Sequence, residues 1–257
     1  MKSLFSLIFL AFSILVSPAQ ENPDGDLPEA PVFGDQEPTA EQIIKLARYS
    51  QALQNHDLTG HLRPRGIALR RIPLKISLFE KDIRFMFHKE DKSKNDIDQI
   101  IKLSLRNNRY EMTEIITGKP EARIPEEKYG APIRGTDVTY EDLSMRFLYW
   151  PSPEKVGEDK VGRVQSWIVA MKNPLDSGPY DYVKVWVGQN NGALMRVEGW
   201  KDVNGKPRVA KVFRVDQVQR GGDGTWVLEQ MEIHSYNVET GKIASTTLME
   251  IDDPKRK

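Results

Sequence analysis

From Val161 to Ile251 the chain is a succession of short runs with period-two patterning, cut by tight-turn signals. That pattern admits little besides an antiparallel β meander. The expected strands cover residues 161–171, 181–187, 193–200, 209–218, 226–236 and 242–251. Gln189-Asn190-Asn191-Gly192, Asn204-Gly205 and Gly221-Gly222-Asp223-Gly224 separate them, with Asn191-Gly192 suited to the left-handed backbone of a tight hairpin. Sequential strands joined by such short turns pair with their neighbours.

The same period runs upstream. Residues 57–63, 66–79 and 82–88 read as strands, with a turn at Glu80-Lys81-Asp82. Residues 96–105 and 109–116 read as another pair about Asn107-Asn108, although Ile97, Ile100, Ile101 and Leu105 also fit a helical period. Residues 118–132, rich in Pro and charge, read as loop.

Two stretches break the β pattern. Thr39 to Leu53 is a predicted helix, with Thr39 and Gln42 as a capping box and Ile43, Ile44, Ala47 and Leu53 as its apolar side. Gly135 to Leu148 is the second, set in the middle of the chain. Thr139 with Asp142 approximates a capping box, and Glu141 and Asp142 suit the positive end of the helix dipole. Tyr140, Leu143 and Phe147 are spaced to share one face, and Pro151 and Pro153 stop the helix.

Several C-terminal strands are apolar on both faces. Tyr182 and Trp186 alternate with Val183, Val185 and Val187; Leu194 and Trp200 alternate with Ala193, Met195 and Val197. A sheet with one wet face alternates more cleanly. Two accounts fit: a sandwich or closed barrel with a few exposed aromatics, or a curved sheet whose concave face holds a cavity that the helices only partly fill.

Leu4 to Val16, after Lys2 and before Ser17-Pro18-Ala19, has the length and flanks of a signal peptide, so residues 1–19 are expected to be a cleaved leader. Residues 20–38, with Pro23, Pro28, Pro31 and Pro38, are expected to be a disordered linker. Residues 39–257 then form a single domain, large enough to bury a core as one unit. The expected location is the periplasm.

The chain has no cysteine, which excludes disulfides, thiolate chemistry and a lipid-bearing N-terminal Cys. Its 37 basic and 37 acidic residues cancel, and loss of Lys2 with the leader leaves a net charge of −1, which gives no reason to expect nucleic acid as partner. His56 and His61 would point to opposite faces of a strand, so no metal site is expected. No nucleophile elbow, phosphate loop or dinucleotide fingerprint is present. Glu141 and Asp142 could be imagined as an acid/base pair, but their place at a helix start explains them. The chain is not expected to be an enzyme or to need a cofactor.

The run Gly135-Thr136-Asp137-Val138-Thr139-Tyr140-Glu141-Asp142-Leu143 resembles the S/T-D-(x)-S/T-Y-E-D-L signature of the outer-membrane lipoprotein-sorting (LolA-like) family. Tyr182-Val183-Lys184-Val185-Trp186-Val187, Met195-Arg196-Val197-Glu198, Val212-Phe213-Arg214-Val215 and the run from Trp226 to Met231 are similar to its later strands. The resemblance covers roughly Thr39 to Ile251 and belongs to the branch with the Tyr-Glu-Asp-Leu helix. It implies an unclosed antiparallel β-barrel of about eleven strands (mainly β, α+β), with helices as a lid over an apolar cavity. It also implies a periplasmic carrier that shields lipid or lipoprotein acyl chains. The family's lid-locking arginine has no counterpart that the sequence identifies, so that role is not carried over.

Tyr140, Leu143, Phe147, Trp186, Met195 and Phe213 are the candidate ligand-binding residues, against the plainer reading that they are core anchors. The tryptophans Trp150, Trp167, Trp186, Trp200 and Trp226 divide the same way. The expected partners are lipid or lipoprotein acyl chains, with inner- or outer-membrane proteins as further candidates, and the chain is expected to be a monomer. The alternatives are a sensor module that uses the fold to detect misplaced lipid and contact a membrane protein, and a scaffold with a filled core and no ligand.

Overall fold

The computed structural model describes residue 33 and residues 37–52, 56–66, 70–79, 82–89, 96–106, 109–175, 177–220 and 226–252. The expected leader, most of the linker and the turns at 80–81, 107–108 and 221–224 lie outside the described residues, as does Leu53. Among the described residues no helix is long and apolar enough to cross a membrane.

Among the described residues thirteen strands form one antiparallel sheet. The first six are β1 (His56–Pro64), β2 (Ile72–Phe79), β3 (Asp82–His88), β4 (Ile97–Arg106), β5 (Arg109–Ile116) and the two-residue β6 (Ala122–Arg123). The other seven are β7 (Glu154–Val161), β8 (Val164–Lys172), β9 (Tyr182–Gly188), β10 (Leu194–Val203), β11 (Lys206–Arg220), β12 (Trp226–Asn237) and β13 (Lys242–Ile251). Each strand pairs with its sequence neighbour except β6 and β7, which are the two edges. The two meanders are zipped together where β1 pairs with β13, Leu62 opposite Met249 and Gly60 opposite Ile251. The sheet is therefore an unclosed barrel, as the resemblance implied, with thirteen strands against about eleven.

The alternation of these strands gives the sheet a strongly apolar inner face. Leu62, Ile72, Leu74, Ile76, Ile83, Phe85, Phe87, Ile101, Leu103 and Met112 make its N-terminal wall, continued by Ile233, Met249 and Ile251. A second cluster joins Trp167, Val169, Met171, Val183, Val185 and Val187 to the helix α1 (Ala40–Ala52) through Ala40, Ile43, Ile44 and Ala47. These four sit at helical spacing and form the stripe that docks on the sheet. The expected capping box holds: Gln42 Oε1 accepts from Thr39 N at 2.8 Å and Thr39 Oγ1 from Gln42 N at 3.3 Å. Helix α1 is seated by Gly192, whose φ of 67° suits a residue without a side chain and whose added Cβ would lie 2.7 Å from Leu46 Cγ. Asn191 is not left-handed, so the turn there uses one such residue and not two.

Four expectations need correction. The strand predicted over 66–79 begins only at Ile72. The loop predicted over 118–132 contains β6 and a 3-10 turn at Glu126–Lys128. The strand predicted over 161–171 is preceded by β7, which the period-two criterion missed because Glu154, Glu158, Asp159 and Lys160 leave it little apolar face. Such charge is what protects a sheet edge from further pairing, and β7 is an edge.

The largest correction concerns the central helix. Only Tyr140–Ser144 is α-helical (α2). Met145 turns left-handed, with φ 45° and ψ 25°, and Arg146–Tyr149 continues as a 3-10 helix. Tyr140 and Leu143 consequently join the first cluster while Phe147, with Leu148 and Trp150, joins the second. The three side chains do not share one helical face. The break lets Arg146 fold back onto Glu141, with Nε 2.8 Å from both carboxylate oxygens.

Candidate functional site

The link from β6 to β7 must pass from one edge of the sheet to the other, and it does so across the inner face. At one end, Glu114 on β5 accepts from Tyr140 OH at 2.7 Å, Gln99 Nε2 at 2.6 Å and Lys128 Nζ at 2.6 Å. At the other end, Arg48 of α1 donates to Leu148 O at 2.8 Å and lies over the Tyr149 ring at 4.2 Å. Between these anchors, Asp137 and Asp142 meet a floor formed by β11 and β13.

That floor is polar at its centre. The capping box of α2 is present in full, with Thr139 N donating to Asp142 Oδ2 at 2.7 Å and Asp142 N to Thr139 Oγ1 at 3.3 Å. Asp142 is more than a cap. Its Oδ2 also accepts from Lys211 Nζ of β11 at 2.8 Å, and its Oδ1 accepts from Tyr180 OH at 2.6 Å. Lys211 also donates to Asp137 O at 2.5 Å. The Asp137 carboxylate accepts from Ser245 Oγ and, at 2.7 Å, from Thr247 Oγ1 of β13, while Asp137 N donates to Thr247 Oγ1 at 3.0 Å.

The ion pair is deeply buried: the Lys211 and Asp142 side chains keep 8% and 3% of their exposure. Breaking such a pair from one side strands a charge in apolar surroundings, whereas the intact pair adds little net stability. Its value lies in fixing where α2 sits. Tyr180 is held over the same spot by Gly199, since a Cβ there would fall 2.3 Å from the Tyr180 ring. Burial, with Asp142 alongside, drives the Tyr180 hydroxyl well above its ordinary pKa, so it stays a donor. Burial also raises the Glu141 carboxyl, against the downward pull of Arg146. The acid/base reading of Glu141 and Asp142 has no support in this geometry, because each carboxylate is committed to a cation inside the core.

The candidate binding residues are spread over three places. Tyr140 and Leu143 are buried beneath α2 in the first cluster, and half-buried Phe213 packs at that cluster's margin with Met231, Leu58 and Leu78. Phe147 is buried in the second cluster. Trp186 and Met195 form a third cluster with Val161. Trp186 alternates with Val185 and Val187, so it lies on the opposite side of the sheet from α1.

Lys211, Tyr180, Ser245 and Thr247 were not singled out from the sequence, and Asp137 stood there only as part of the signature run. For three of them the sequence carries a signal. Lys211 shares its strand face with Phe213, and Ser245 and Thr247 share theirs with Met249 and Ile251, so each is polar on an otherwise apolar face.

Solved structures share this architecture, three of them as follows. A domain assigned to the outer membrane lipoprotein-sorting proteins of Vibrio parahaemolyticus matches with a TM-score of 0.61 at 16% identity, over 83% of this chain and 92% of that one. A DUF1329 family protein from Desulfovibrio piger matches with a TM-score of 0.60 at 15% identity, over 83% and 91%. A LolA superfamily protein from Nitrosomonas europaea matches with a TM-score of 0.56 at 13% identity, over 84% and 93%. Among curated proteins none is significantly similar in sequence. A family model with the description "Uncharacterized protein" matches residues 118–257, which runs from the end of β5 through α2 to the C-terminus. That span is more than half of the 257 residues, so the chain belongs to this family, and its fold is the unclosed barrel of the outer-membrane lipoprotein-sorting proteins.

Proposed function

We propose that this chain binds a lipid or lipoprotein acyl chain on the inner face of its barrel and carries it through the periplasm, without catalysis. The supporting observation is the wall itself. Apolar side chains run without interruption from Met112 on β5 to Met249 on β13, and the cover over them is a single crossing segment. The similarity to an outer membrane lipoprotein-sorting domain favours the same reading.

On this reading the half-buried margin at Phe213, Met231, Leu58 and Leu78 meets the cargo first. Tyr140, Leu143 and Phe147 are the side chains whose contacts the acyl chain replaces. Trp186 and Met195 take no part, because their cluster is separate. Burying about fifteen methylenes yields roughly 12 kcal/mol at about 0.8 kcal/mol each. Uncovering three large side chains costs about 1.5–3 kcal/mol apiece. The polar contacts that the crossing segment gives up narrow the difference further, so that uptake and release are reversible.

The test is native mass spectrometry of the full chain purified from a periplasm, with uptake of a fluorescent acyl probe as the second arm. Co-purified lipid or saturable probe binding is expected. Repeated absence of both overturns the proposal.

A further inference from the structure

Four side-chain donors in the buried network below α2 belong to the scaffold. Lys211 Nζ comes from β11, Ser245 Oγ and Thr247 Oγ1 from β13, and Tyr180 OH from the loop entering β9. That loop is itself fixed, with Asn173 Nδ2 donating to Tyr180 O at 2.8 Å and the ring closed over Gly199. Every acceptor these donors reach belongs to the crossing segment: the Asp137 carbonyl and carboxylate and both oxygens of Asp142. The donors form a cradle and the crossing segment supplies its anion.

We propose that this cradle recognises the anionic head of a lipid, a phosphate or carboxylate joined to an acyl chain, and that Asp137 and Asp142 hold its place in the plugged state. The proposal rests on the acyl-chain reading above and specifies which lipids satisfy it. Lys211 is buried, with 8% of its side chain exposed; Ser235 stands opposite it on β12, and the next pair on that side of the sheet is the apolar Phe213 and Ile233. Cargo that lifts α2 removes both partners of the Lys211 ammonium at once. A neutral head leaves that charge buried and unpaired, which is costly. An anionic head restores the pair, and a phosphate or carboxylate also accepts from hydroxyl donors. A cationic head is repelled. Inorganic phosphate has the right charge but no chain with which to displace Tyr140 and Leu143.

The experiment measures binding of dodecyl phosphate, dodecyl maltoside, dodecyltrimethylammonium and inorganic phosphate to the full chain below micelle-forming concentrations. Dodecyl phosphate is expected to bind at least about tenfold tighter than dodecyl maltoside, with no binding of inorganic phosphate over the same range. Lys211→Met is expected to bring dodecyl phosphate and dodecyl maltoside to similar affinity. Asp142→Asn removes the competing carboxylate and leaves Lys211 without its counter-charge before binding, so it is expected to tighten dodecyl phosphate and to relieve the penalty on the maltoside as well, with the preference for phosphate kept. It carries the test should Lys211→Met fail to fold. Equal affinity for the two probes in the wild-type chain overturns the proposal. A preference that survives Lys211→Met, or no gain in Asp142→Asn, overturns it as well. Tight binding of inorganic phosphate alone overturns the lipid head in favour of a free-anion site. Failure of every probe to bind removes the acyl-chain reading itself, a result distinct from binding without head-group preference.

Discussion

Tyr180 and Gly199 give a sharp test of how the crossing segment is held. The Tyr180 hydroxyl donates to Asp142 Oδ1 at 2.6 Å inside the core. Tyr180→Phe removes that donor without opening a cavity and leaves one carboxylate oxygen with a partner missing. A hydrogen bond to a charged group contributes about 1.5–3 kcal/mol, and for a chain of this size that corresponds to a fall in Tm of about 3–12 °C. Gly199→Ala attacks the same bond from the other side. The new Cβ would lie 2.3 Å from Tyr180 Cδ1 and Cε1, so the ring must move and its hydroxyl leaves Asp142. That substitution adds overpacking of about 1–3 kcal/mol to the lost bond. The discriminating variant is the pair. Because both substitutions break one hydrogen bond, adding Tyr180→Phe to Gly199→Ala should cost close to nothing, leaving a coupling of about 1.5–3 kcal/mol. Urea denaturation of the four proteins measures it. Strict additivity, or a Tyr180→Phe cost below about 0.5 kcal/mol, refutes the account of the network.

Three further outcomes follow from the same geometry. Gly192→Ala forces a side chain into a left-handed position against Leu46, and should cost about 1–3 kcal/mol and loosen α1, seen as faster hydrogen exchange over residues 40–50. Hydrogen bonds from Arg63 hold Glu250 below the ordinary glutamate value of 4.5; burial would raise Glu114, but Lys128, Tyr140 and Gln99 bring it below that value. A depressed carboxyl contributes stability above 4.5 that is lost as pH falls through its folded value, so thermal melts should show an acid limb that becomes shallower in Glu250→Gln. Glu141, being raised, has the opposite sign, and the limb is expected only because it is outnumbered. Phe213→Ser should weaken an acyl probe by about tenfold or more while moving Tm little, because Phe213 is half-buried at the margin; unchanged probe affinity removes it from the proposed entry.

How much of this was legible in the sequence depends on whether the signal was local. Asn204-Gly205, whose residues both take positive φ, announced the β10–β11 turn, and Thr39 with Gln42 announced the start of α1. The β4–β5 pair was legible as strand despite the helical spacing of Ile97, Ile100 and Ile101, because register with β3 places Ile101 against Phe85 on the inner face. Edge strand β7 was hidden because the charge that guards an edge also erases the period that marks a strand. The break at Met145 was hidden for a different reason. Nothing in Tyr-Glu-Asp-Leu-Ser-Met disfavours another helical turn, and it is the bidentate return of Arg146 to Glu141 that accompanies the left-handed residue. Partners seventy residues distant, such as Lys211 for Asp142, leave no trace in local spacing at all.

The placement of a buried ion pair at the centre of an apolar wall has a physical consequence for the barrel. A purely apolar segment could slide along such a wall, since dispersion contacts are nearly equivalent from one register to the next. Asp137 and Asp142 remove that freedom: displacement by one strand spacing, about 4.8 Å, would leave Lys211 and both carboxylates unpaired. The crossing segment therefore has one seat, and leaving it means losing every polar contact together. Such a cover opens as a unit or not at all, which distinguishes it from α1. That helix meets the sheet through Ile43, Ile44 and Ala47 and is tied by Ser50 to Gly192 and by Arg48 to Leu148, contacts that can loosen one at a time. Hydrogen exchange should accordingly give residues 137–144 a single common opening free energy, and residues 40–50 a gradient of protection. A gradient across 137–144 would show that the ion pair does not govern the cover.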